Sequence, residues 1–124
     1  MIQNRSVIEV ADNSGAKKLR CIQVCGGSGR KSAAKIGDTI VASIIETKPN
    51  STKFRQGEIC KAVIINTKKE TKRLDGTTIK FEKNLAVLIN DNKKPLGTRI
   101  LYPISEELRG KNLARVIAIA PSVL

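Results

Sequence analysis

At 124 residues, with 23 Lys and Arg against 11 Asp and Glu and no histidine, the chain carries a formal net charge of +12 and a pI near 10.0. A hydrophobic share of 40% supports a folded core and excludes a disordered tail, and the length suits a single domain over residues 1–124 without staples. No apolar run approaches the ~18 residues that a membrane span requires, so a soluble protein is expected.

Met1-Ile2-Gln3 leads directly into strand-like sequence, with no secretory or transit pattern at either end. The expectation is a protein that works where it is made, or in a compartment that makes its own proteins. Residues 7 to 11 read as a short strand, stopped by the turn cluster Asp12-Asn13-Ser14-Gly15. Residues 16 to 25 read as a second strand with Leu19, Ile22 and Val24 apolar. Its alternation slips phase between Cys21 and Ile22, which predicts a β-bulge. Gly26-Gly27-Ser28-Gly29-Arg30-Lys31 opens a flexible basic loop that runs to Gly37-Asp38.

A third strand is expected over Thr39 to Glu46, broken by Pro49-Asn50-Ser51, and Gln56-Gly57-Glu58 makes the next turn. The apolar run Ala62-Val63-Ile64-Ile65 is a strand that ends in a basic segment, Lys68 to Arg73. Asp75-Gly76 then supplies a hairpin turn. The return strand, Thr77 to Glu82, puts Ile79 and Phe81 on one face, the latter toward the core. Leu85 to Ile89 is a further strand, Asn90 to Pro95 a polar turn, and Gly97 to Leu101 resumes extended structure. Ser105 to Gly110 reads as the one helix, capped by Ser105, with Glu106 and Glu107 at its positive end and Gly110 as its stop. Val116 to Ala120 is expected as a last short strand. Many short strands between glycine turns predict an all-β fold built on a small closed barrel.

Charge limits the function classes. A small domain this basic repels itself unless a polyanion compensates, and nucleic acid is the commonest one. A membrane-surface protein would carry its charge on one amphipathic helix, whereas here it sits in turns and between strands. Cys21, Cys25 and Cys60 are odd in number and lack histidine partners, so neither a complete disulfide framework nor a closed zinc site fits. They read as small buried apolar side chains. Enzymatic chemistry has little to stand on: the acids are scattered, and Glu106-Glu107 is explained by its helix start. A thiol enzyme would need an unusually reactive cysteine.

Two basic segments stand out. Gly26 to Lys31 invites a phosphate-loop reading, but that motif needs Gly six residues before its Lys and another immediately before it. Cys25 and Arg30 stand there instead, and too little sequence follows for the required helix. The loop can still lay amides and cations, Arg30 and Lys31 among them, along an RNA phosphate chain; otherwise it is merely solvated. Lys68, Lys69, Lys72 and Arg73 place four positive charges within six residues, set to reach between RNA helices from a hairpin arm. Phe54, Phe81 and Tyr102 are too few to stack the bases of a single strand, so folded RNA read through shape and phosphates is expected. Lys17, Lys18 and Lys48 complete the set assigned to RNA.

One long pattern resembles a known family. Ala62-Val63-Ile64-Ile65, nine residues, Asp75-Gly76, four residues, Phe81, two residues, Asn84, two residues, Val87-Leu88 is similar to the universal large-subunit ribosomal protein L fourteen family. The likeness extends to Met1-Ile2-Gln3, to Val10-Ala11-Asp12-Asn13-Ser14-Gly15-Ala16, to Gly97-Thr98-Arg99, to Glu107-Leu108-Arg109 and to Ala120-Pro121-Ser122-Val123-Leu124. Lys31 to Lys35 departs from the arginine and tyrosine of many relatives, and Leu101-Tyr102-Pro103 replaces a common Phe-Gly-Pro.

The resemblance implies a five-stranded barrel with a hairpin arm and a short C-terminal helical region, acting as a non-catalytic structural part of the large subunit, bacterial or organellar. It implies large-subunit rRNA and ribosomal proteins L three and L nineteen as partners, with no cofactor, metal, membrane or small-molecule substrate. It also implies that Thr98 and Arg99 face small-subunit rRNA or a ribosome silencing factor; from the residues alone, the favoured reading is that Arg99 lies along the barrel rim. The rival expectation is a free-standing RNA-binding barrel acting outside the ribosome.

Overall fold

β-Branched runs separated by glycine turns become strands, and their outward or inward faces follow from what covers them. The structure is a computed structural model and describes residues 2–3, 6–24, 33–49, 55–68, 71–72, 75–81, 83–90, 94–104, 108 and 114–121. In chain order the elements are β1 (Ile2–Gln3), β2 (Val7–Val10), β3 (Ala16–Val24), β4 (Ala33–Ala34) and β5 (Thr39–Thr47). Then come β6 (Ile59–Asn66), β7 (Thr71–Lys72), β8 (Thr78–Ile79), β9 (Leu85–Ile89) and a short helix, α1 (Ala114–Ala118).

Five strands close into a barrel in the order β2-β3-β5-β6-β9. Neighbours pair antiparallel except at the seam, where β2 runs parallel to β9 with Glu9 opposite Leu85 and Val10 opposite Ala86. Closure leaves the barrel no free sheet edge. The expected bulge is present: the β3–β5 register shifts between Cys21 and Gln23.

Two apolar clusters explain the strand sequences. Inside the barrel lie Ile8, Leu19, Cys21, Ile40, Ala42, Ile44, Ala62, Ile64, Ala86 and Leu88. Outside it, Val63, Ile65, Leu85, Val87 and Ile89 are covered by Ile100, Ile104, Leu108 and Val116 from the C-terminal third. β6 from Ala62 onward and all of β9 are therefore buried on both faces, which is why they read as continuous apolar runs, while burial alternates along β3 and β5. Each fully buried Ile or Leu contributes roughly 1.5–3 kcal/mol from burial alone.

Turn chemistry is local and matches the reading. Gly15, Gly57 and Gly76 take positive φ at three of the expected turns, a conformation that favours glycine. The β7–β8 hairpin arm forms around Asp75-Gly76, where the Asp75 carboxylate accepts from the Thr77 amide at 3.0 Å and hydroxyl at 2.6 Å.

Four details differ from the expectation. Ala33–Ala34, placed in a flexible loop, pairs with Ile2–Gln3 as a second small sheet. The return strand is only Thr78–Ile79, because the Phe81 amide leaves the hairpin to bond the Thr67 carbonyl at 3.1 Å. Gly97 to Leu101 does not form a strand; it bends and makes one isolated bridge, Ile100 to Asp12, because side-chain bonds described below take the Thr98 and Arg99 amides. Residues 116 to 120, expected as a strand, belong instead to α1 and the turn after it. Val116 points into the outer cluster while Arg115 and Ala118 are exposed, and the Ile119 and Ala120 amides bond back to the carbonyls of Val116 and Ile117. Five residues are too few for periodicity to decide between the two. The helix expected over Ser105 to Gly110 lies outside the described residues, apart from Leu108, which is buried.

Candidate nucleic-acid interface

The exposed cations near the start of β3 are held by few carboxylates. Lys18 pairs with Glu46 across the β3–β5 ladder, and the register shift beside it lets Lys17 reach the same carboxylate. The Lys17 and Lys18 ammonium groups sit 3.4 and 3.7 Å from its two oxygens. These side chains are 56% and 40% exposed, so the pairs add little stability. One carboxylate held by two ammonium groups leaves an excess of positive charge facing solvent. Lys48, also exposed, follows β5, and its amide donates to the Gly15 carbonyl at 2.9 Å.

Asn84, just before β9, ties the arm to the same region. Its side-chain oxygen accepts from the Lys68 amide at 2.8 Å, and its carbonyl accepts from the Glu9 amide at 3.2 Å. Lys68 thus stands exposed at the base of the arm, next to the β2–β9 seam. Lys83, which sequence reading missed, has its ammonium 3.4 Å from a Glu9 oxygen and 5.8 Å from the centre of the Tyr102 ring. Val7, Glu9, Lys18, Lys68, Lys83 and Asn84 line a cleft of about 190 Å³. Lys18 and Lys68, 50 positions apart in sequence, meet there. The parallel pairing of β2 with β9 brings Lys83 alongside them, and no sequence signal marks that pairing.

Other assigned residues are placed differently or not at all. Lys72 belongs to β7 by its backbone. Arg30, Lys31, Lys69 and Arg73, with the glycine-rich loop and Cys25, lie outside the described residues.

Thr98 and Arg99 are exposed and belong to a separate construction. Asp12, buried in the turn after β2, accepts through one oxygen from the Ser14 amide and hydroxyl, at 3.1 and 2.6 Å. Its other oxygen accepts from the Leu88 amide at 3.2 Å, fixing the turn to β9. Asn13 is thereby aimed outward. Its carbonyl oxygen accepts from the Thr98 and Arg99 amides at 2.8 and 3.2 Å, and its amide group donates to the Thr98 hydroxyl at 2.7 Å.

Neither described cysteine is set up for thiol chemistry. Cys21 is buried in the barrel, and the Cys60 thiol is pushed up to about 11 by burial, then by Glu58 and Asp12. It is protonated at neutral pH and a poor nucleophile. Among the described residues no group of three His, Cys, Asp or Glu could hold a metal ion.

A closed β-barrel of strongly basic composition, with lysines converging on a cleft at its seam, defines a small polyanion-binding barrel. The model of one family, ribosomal protein L14p/L23e, matches residues 1–124, and the chain belongs to that family. It is accordingly a structural protein of the large ribosomal subunit, where it binds ribosomal RNA and takes part in translation.

Proposed function

We propose that residues 1–124 act as one barrel domain that reads folded large-subunit rRNA through phosphate contacts and presents Thr98 and Arg99 to the small subunit. The RNA contacts are assigned to Lys17, Lys18, Arg30, Lys31, Lys48, Lys68, Lys69, Lys72 and Arg73. The observation that carries this reading is the shared Glu46, which orients Lys17 and Lys18 together without neutralising both. Oriented lysines act as point charges on a phosphate chain and carry no base-specific fork, which suits shape recognition. The Thr98 backbone and hydroxyl and the Arg99 backbone are held by Asn13, so the segment that offers them is preorganised. Small-subunit rRNA and a ribosome silencing factor are the partners assigned to that face, with ribosomal proteins L three and L nineteen as neighbours. The chain works without catalysis or cofactor, in a bacterial or organellar large subunit.

A tagged copy expressed in its source and sedimented through a sucrose gradient tests the reading. Co-migration with large subunits, retained after a moderate salt wash, is the expected result. A tag that stays at the top of the gradient would mean the chain acts outside the ribosome.

A further inference from the structure

We propose that the cleft between β2, β3 and the segment preceding β9 is a seat for the phosphate backbone of folded RNA, with Lys18, Lys68 and Lys83 as its cations. The inference rests on the reading of the chain as an rRNA-binding protein and adds to it a defined site and a residue, Lys83. Three lysines and one glutamate, Glu9, line the cleft, so its own balance is positive. A recess lined by one sign of charge against low-dielectric walls concentrates the field and draws in a counter-charge more strongly than a flat surface does.

The cations are placed by the fold. Glu46 holds Lys18 at 3.7 Å, and Glu9 holds Lys83 at 3.4 Å, with the Tyr102 ring beneath its ammonium. The Asn84 side chain fixes the Lys68 backbone at 2.8 Å. Val7, 47% exposed, adds an apolar wall against which a ribose can pack. Lysines without an arginine fork, and no exposed aromatic ring among the lining residues, fit a sequence-independent hold on the backbone.

The test compares two charge-matched triple variants in filter binding to large-subunit rRNA from the same source, across a salt series. Lys18→Gln, Lys68→Gln and Lys83→Gln empty the cleft of positive charge; Arg20→Gln, Lys61→Gln and Lys94→Gln remove the same charge from exposed positions that do not line it. The cleft variant is expected to make the slope of log K against log salt shallower by about 2–3, roughly one for each lost phosphate contact, while the control keeps nearly the wild-type slope. Lys83→Gln alone should shift it by about one. Equal losses in both triple variants would overturn the cleft while leaving rRNA binding intact. A wild-type chain that fails to bind would instead overturn the reading beneath it. Inorganic phosphate, exchanged for chloride at constant ionic strength, separates a backbone seat from a pocket for a free ion. No saturable displacement of RNA supports the backbone, and displacement at sub-millimolar phosphate assigns the cleft to the free anion and overturns the proposal.

Discussion

Asn13 and Thr98, 85 positions apart, exchange two hydrogen bonds: the Thr98 amide donates to the Asn13 carbonyl oxygen at 2.8 Å, and the Asn13 amide group donates to the Thr98 hydroxyl at 2.7 Å. The same carbonyl oxygen also accepts from Arg99, so one side chain replaces the ladder partner that a strand would have supplied. Asn13 can do this because Gly97 lets it come close. A Cβ at Gly97 would lie 2.9 Å from the Asn13 oxygen and 3.1 Å from the Asp12 Cβ.

Gly97→Ala is therefore expected to destabilise the protein by about 1–3 kcal/mol, the usual range for overpacking at a tight contact. Asn13→Ala removes the three side-chain bonds at an exposed site, where water can replace them, and should cost about 1–2 kcal/mol. Urea unfolding measures both, and amide exchange at Thr98 and Arg99 should quicken in the Asn13 variant. A Gly97 variant within about 0.5 kcal/mol of wild type would show that the segment shifts freely and is not clamped.

Salt dependence reports how the whole surface works. If lysines and arginines against phosphates dominate, about 6–8 contacts give a slope of log K against log salt near −4 to −7. Filter binding to the cognate rRNA between low and moderate salt measures it. A slope near zero would assign the affinity to stacking or apolar contact.

The arm separates assembly from folding. Replacing Lys68, Lys69, Lys72 and Arg73 by Ser should leave the unfolding midpoint nearly unchanged, since solvated charges add little stability. Incorporation into large subunits, followed in sucrose gradients, should fall. Normal incorporation would reduce the cluster to a solvated face.

The Asn13-held segment is expected to act after assembly. Thr98→Ala combined with Arg99→Ala should still yield large subunits, whose association with small subunits or with the silencing factor weakens by about 1–3 kcal/mol, the scale of a charge-assisted contact. Light scattering of purified subunits across a magnesium titration, with a pull-down of the factor, provides the measurement. Curves that overlay wild type would leave Thr98 and Arg99 as part of the barrel rim.

Strands and turns were legible in the residues because their signals are local. Alternation in β3, the phase slip after Cys21, and the turns at Gly15, Gly57 and Gly76 each need only a few neighbouring side chains to be read. The net charge likewise pointed to nucleic acid without any structure. Tertiary structure alone decided what long-range contact controls. The β2–β9 seam brings Lys83 and Asn84 beside Lys18 and Lys68, and no local pattern encodes a parallel pairing 76 positions apart. The outer cluster buries the second face of β6 and β9 and draws Val116 inward on a helical turn. Residues 97 to 99 carry extended-looking sequence, yet the Thr98 and Arg99 amides bond a side chain from the turn after β2. In each case the deciding partner arrives from a distant part of the chain, and its hydrogen bonds or buried area outweigh a local preference of a few tenths of a kcal/mol per residue.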